Sequence, residues 1–234
     1  PGTNALSIDK DLTLKGAGAD LVTIQPKRST STGGQIASNS PVLRDGVGNI
    51  VAVTGGSLFP VTVNISGISV RGNGVVAETG ILFLDAKGSV VRSRVTDIVT
   101  SERAEAFDQP GGFRSSDTGY GIVQATAATS PPAGGSVPRP LVIETTRVDK
   151  YNKTGILIDG ATGDTPPLTS AGVANTAQIV GSTVVGRLRC IDYIANGNCS
   201  TVGTLTTGPL FGQDGLKVTA GAKVTMDSSS IFQN

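Results

Sequence analysis

The sequence predicts an all-β solenoid, a parallel β-helix of about six coils with long loops flanking one face. Three observations predict it. The first is a pattern, apolar-x-x-Ser/Thr-x-Val/Ile, present in five copies that begin at Val63, Val90, Ile143, Ile179 and Met226. The second is a marker between the copies, Gly80-Ile81, Gly121-Ile122, Gly155-Ile156 and Gly215-Leu216, with Asn49-Ile50 in the same slot before the first copy. The third is composition: 32 Gly, 12 Pro and one Met describe a chain of strands and turns, and no stretch carries a helical period.

The pattern specifies a bend. Its first and last positions are five residues apart, so on one flat strand they would face opposite sides. Both are apolar, so the chain must turn between them, with a hydroxyl at the turn each time: Ser66, Ser93, Thr146, Ser182 and Ser229. Such hydroxyls either form a ladder that satisfies buried backbone groups or simply suit a bend. At the marker, Gly or Asn ahead of a strand suits a backbone position with positive φ. The tightest spacings are nine residues (Ile81 to Val90) and thirteen (Ile143 to Ile156), which together make a minimal coil of 22. A repeat of that length with three strands per period is a β-solenoid. A β-sandwich with chance similarity competes, because the pattern also occurs out of register from Val76 to Ile81. The shared order of two markers over five coils argues for the solenoid.

The whole chain, 1–234, is expected to form one elongated domain, open or truncated at both ends. Nineteen Lys and Arg against eighteen Asp and Glu, with no basic stripe, give no case for nucleic acid or an anionic membrane. No apolar run approaches a membrane span, and an opening at Pro1 is consistent with a removed leader. Cys190 and Cys199 are the only cysteines, and a chain without His cannot complete a zinc site around them. A local disulfide is expected over two free thiols, which points to an oxidising compartment.

The opening segment Pro1-Gly2-Thr3 with Ile8-Asp9-Lys10-Asp11-Leu12-Thr13-Leu14-Lys15-Gly16 resembles the first coil of secreted bacterial right-handed β-helix proteins of the pectin-lyase-like superfamily. Val61 to Ile68 is similar to their second coil. The resemblance implies a right-handed solenoid, an extracellular or cell-surface location, and a functional groove opposite the short bend. Its motifs specify fold and say little about activity.

Extra residues fall after the marker strand, at about 127–139 and 160–176, and before it, at about 97–120 and 186–214, with a polar insertion from Gln25 to Asn49. The marker strands are thus flanked by loops on both sides, the usual place for binding. If the residue after Gly or Asn points inward, the groove presents Val51, Val53, Leu82, Leu84, Val123, Ala125 and Leu157, an apolar set expected to be covered by loops or by another molecule. Sugar-cleaving sites need carboxylates, basic groups and aromatic platforms, and this chain has no Trp and only three Tyr. The His-dependent site of polygalacturonases cannot be built. Asp97 and Asp149 follow the pattern with Arg94, Arg147 and Lys150 nearby, an arrangement that favours a solvated polar turn over a calcium or acid-base site. Asp85 and Asp159 at marker-strand ends are ambiguous in the same way.

Two functions stay open. One is an extracellular structural or adhesive protein, such as a self-assembling filament or cell-surface subunit, that self-associates or binds another surface protein, with no cofactor; the other is a polysaccharide lyase or glycoside hydrolase, the only reading under which calcium enters. On the first, assembly through the groove is expected to weaken in Leu82→Lys or Leu157→Lys.

Overall fold

A computed structural model describes residues 4–26, 48–56, 58–72, 77–98, 119–126, 137–151, 153–160, 175–186 and 214–232. They form eighteen strands in three parallel sheets of six. The first sheet stacks β1 (Leu6–Ile8), β4 (Asn49–Thr54), β7 (Thr79–Leu84), β10 (Tyr120–Ala125), β13 (Thr154–Asp159) and β16 (Asp214–Thr219). The second stacks β2 (Leu12–Lys15), β5 (Val61–Ser66), β8 (Ala86–Val91), β11 (Arg139–Glu144), β14 (Asn175–Val180) and β17 (Lys223–Asp227). The third stacks β3 (Thr23–Ile24), β6 (Ser69–Arg71), β9 (Arg94–Ile98), β12 (Arg147–Tyr151), β15 (Thr183–Val185) and β18 (Ser230–Phe232). Every third strand therefore pairs with its counterpart one coil on, which is a parallel β-helix of six coils. Among the described residues no helix is long and apolar enough to cross a membrane.

The bend works through a left-handed residue. Arg92, Thr145, Gly181 and Ser228 occupy the third pattern position with φ of 47°, 48°, 54° and 50°. One αL residue interrupts the two-residue alternation, so Val90 and Val95, an odd number of positions apart, both face the lumen, each fully buried. The same holds for Ile143 and Val148 and for Ile179 and Val184. Thr145 tolerates this without the relief that glycine would give.

The bend has a constant length in coils two to six. From Ile68 to Ser93, Thr146, Ser182 and Ser229 the steps are 25, 53, 36 and 47 residues, so coils vary in length while the bend does not. Even the shortest step, 25, exceeds the expected 22, because the two tightest spacings fall in different coils.

Two register expectations are corrected. Val51 pairs with Ile81, so Asn49-Ile50 sits one residue out of the marker slot and aligns with Thr79-Gly80. Ile65 pairs with Val90 and Val70 with Val95, so the first pattern copy is two residues out and Ile68 occupies the hydroxyl position. The reason for the marker glycines also differs from expectation. Gly80, Gly121 and Gly155 are absent from the positive-φ set. They are glycine because a Cβ there would strike the γ-methyl groups of Val95, Val148 and Val184, which end the pattern. The two markers are thus one packing relationship seen from both sides.

Candidate functional site

The face opposite the bend is the outside of the first sheet. Leu82, Leu84, Val123, Ala125 and Leu157 form a second apolar cluster there, separate from the lumen, with Tyr120 packed against it. They are buried: Leu82 is 1% exposed and Leu157, the most accessible, 8%. Leu82 and Leu157, expected on a groove covered by loops or by another molecule, are thus buried. Val51 and Val53 do not belong to this face. Being one residue out of the expected register, they point into the lumen core, and Ala52 and Thr54 stand beside Leu82 and Leu84 instead.

A polar group lies where the first sheet turns into the second. Arg139, 2% exposed, opens β11 and extends Nη2 to Asp85 Oδ1 at 3.1 Å and Nη1 to Thr126 Oγ1 at 2.9 Å. Burial pushes the guanidinium below its usual pKa, and Asp85 acts against that shift. Gln124, flanked in its column by Phe83 and Ile158, donates Nε2 to the Arg139 carbonyl at 2.5 Å. One coil on, Asn175 holds the position paired with Arg139 and donates to the Asp159 carbonyl and to Thr126 Oγ1. Thr126 and Arg139 are the two ends of one insertion, Asp159 and Asn175 the two ends of the next. Each insertion is clasped at its root by a buried side chain.

On the third sheet Asp149, 2% exposed, receives Arg94 Nη2 at 2.9 Å, Arg147 Nε at 2.5 Å and the Thr96 hydroxyl. Burial alone would raise its pKa; the Thr96 and Arg147 hydrogen bonds and the charges of Arg94 and Arg147 outweigh it and hold the carboxyl below the ordinary range. Asp149 pairs in register with Thr96, so the structure does not bring Asp97 beside it as a paired acid. Asp97 instead meets Arg71 Nε at 3.3 Å, and Lys150 is exposed in an αL position. No group of three metal-ligating side chains converges among the described residues.

At the bend, hydroxyls stack coil upon coil. The backbone N–H groups of Ile68, Ser93, Thr146 and Ser182 donate to Ser93 Oγ, Thr146 Oγ1, Ser182 Oγ and Ser229 Oγ at 3.4, 3.4, 3.1 and 3.1 Å. Each of these hydroxyls donates in turn to the carbonyl two residues before it. Ser66 takes no part, because Ile68 stands in its expected place. Cys190 and Cys199 lie outside the described residues, as do most residues of the insertions.

No family model, no curated protein and no solved structure matches this chain.

Its chemistry has to be read from its own groups. Two buried charged side chains are held by the contacts just described: Arg139 by Asp85 and Thr126, Asp149 by two arginines and a hydroxyl. Ion pairs of this kind fix geometry, since each partner compensates a charge that could not otherwise stay buried. Nothing in the spacing singles out Arg139, which follows Pro138 at the end of an insertion and so resembles a solvated loop residue. The available signal was Gln124, a polar residue in a column of core positions.

Proposed function

We propose that this chain is an extracellular structural or adhesive β-helix protein of the pectin-lyase-like kind, which associates with itself or with another surface protein. The observation that carries the reading is the outer face of the first sheet. In the superfamily it resembles, that face holds the catalytic groove; here five enclosed apolar side chains occupy it over the central coils. Acid-base cleavage of a polysaccharide requires ionisable groups in reach of the glycosidic bond. The fold supplies a rigid rod, and only its site can assign an activity.

Incubating the protein with a panel of acidic and neutral polysaccharides, with and without calcium, tests this directly. No new reducing ends and no unsaturated products are expected. Cleavage of any member would overturn the structural reading in favour of a lyase or hydrolase. The extracellular part rests on Cys190 and Cys199 forming a disulfide. Thiol titration of the native, unreduced protein is expected to find no free thiol, and two free thiols would remove that support.

A further inference from the structure

The second sheet keeps its outer face open. None of the outward side chains of β2, β5, β8, β11, β14 and β17 is buried, and the bend along one border never lengthens over coils two to six. The pairing register sorts these side chains into three columns. The middle column carries no charge. The leading column carries Asp11, placed by its hydrogen bond from the Thr62 N–H at 2.7 Å, then Lys87 and Lys223. The column beside the bend carries Lys15, Glu144 and Asp227. In the first coil the acid leads and the base follows; in the last coil the order is reversed.

This distribution is self-complementary. A two-fold axis parallel to the solenoid axis exchanges the two columns coil by coil. It sets a second copy's Lys15 over Asp11, its Asp227 over Lys223, and its Glu144 one strand spacing from the point above Lys87. Within the three columns no like charges meet. An axis parallel to the strands also opposes the corner charges, but it leaves Lys87 and Glu144 facing Pro140 and Val91. Six strands spaced about 4.8 Å apart, contributing four to six residues each of about 3.3 Å, give a contact of roughly 24 by 13–20 Å. That is the low end for a specific interface, which fits a reversible association governed by charge.

We propose that two copies of this chain pair through the outer face of the second sheet, back to back with their solenoid axes aligned in the same direction. The proposal deepens, and rests on, the reading of the chain as self-associating. Because an isologous contact closes, the product is a dimer and not a fibre.

Sedimentation equilibrium of the intact chain tests it. The parent is expected to show a monomer–dimer equilibrium that weakens as salt rises. Lys223→Glu sets like charges opposite Asp227 and should weaken the dimer about tenfold or more, and Lys87→Glu should weaken it independently. The charge swap Lys223→Glu/Asp227→Lys should restore the parent value, whereas Lys15→Glu/Asp227→Lys, which would restore a dimer of the other orientation, should not. All substituted positions are at the surface, and matched circular dichroism spectra would show that the fold is kept. If the parent dimerises and neither Lys223→Glu nor Lys87→Glu changes it, the surface is wrong while self-association stands. If the parent stays monomeric at millimolar concentration, both fall.

Discussion

A methyl group on Gly80 would lie 2.5 Å from Cγ1 of Val95, closer than two carbon atoms can approach. Gly80 is the second residue of β7 and Val95 ends the bend pattern, so this pair joins the two features that mark the repeat. Gly80→Ala is expected to destabilise by about 1–3 kcal/mol through overpacking. Gly56→Ala, where the nearest atom would be 3.7 Å away, should cost far less. Urea midpoints measure both. Coupling between Gly80→Ala and Val95→Ala of at least about 0.5 kcal/mol is expected, and strict additivity would refute the steric account.

The hydroxyl stack predicts a contrast between two serines. Ser182→Val removes the acceptor of the buried Thr146 N–H and should cost about 1–3 kcal/mol. Ser66→Val, outside the stack, should stay within about 0.5 kcal/mol. Equal urea midpoints for the two variants would show that the hydroxyls only suit the bend.

Arg139→Met removes the ion-pair partner of the Asp85 carboxylate and is expected to destabilise by about 3–5 kcal/mol. Adding Asp85→Asn, which suits the φ of 50° at that position, should recover much of the loss. A double variant as unstable as the single one would mean that Arg139 matters for its packing and not for the ion pair.

The Asp149 carboxyl titrates below its ordinary value, so it binds its proton less readily folded than unfolded. Its stabilisation is present above the unfolded value of about 3.9 and is lost as pH falls through the lowered folded value. Asp149→Asn should therefore be least stable relative to the parent at neutral pH, with the gap closing as pH drops below about 4. Thermal melts across that range measure it. A gap that is the same at neutral and acid pH would remove the electrostatic explanation.

Much of the solenoid was legible because its physics is local. Four of the five pattern copies, those starting at Val90, Ile143, Ile179 and Met226, are in register with one another. The fifth misled because the real occupant of its hydroxyl position is apolar Ile68, while Ser66 two residues earlier completes the same pattern by chance. The slip at Asn49 has a similar origin: Ile50 occupies the column that glycine holds elsewhere, and only the pairing partner reveals it. The clasp of Arg139 could not be read from spacing. Thr126 is 13 residues away across an insertion, and Asp85 belongs to another coil, so the contacts depend on the closed stack.

The constant bend divides the molecule into a part that keeps step and a part that does not. Because the second and third sheets advance by identical increments from coil two onward, they form a two-walled spine whose pitch is independent of how much chain a coil contains. Length is absorbed at the other two corners. A splice between Thr126 and Arg139 therefore begins and ends on residues already tied together, and foreign sequence placed there leaves the pitch of the spine unchanged. The rod is a ruler with interchangeable attachments along one edge.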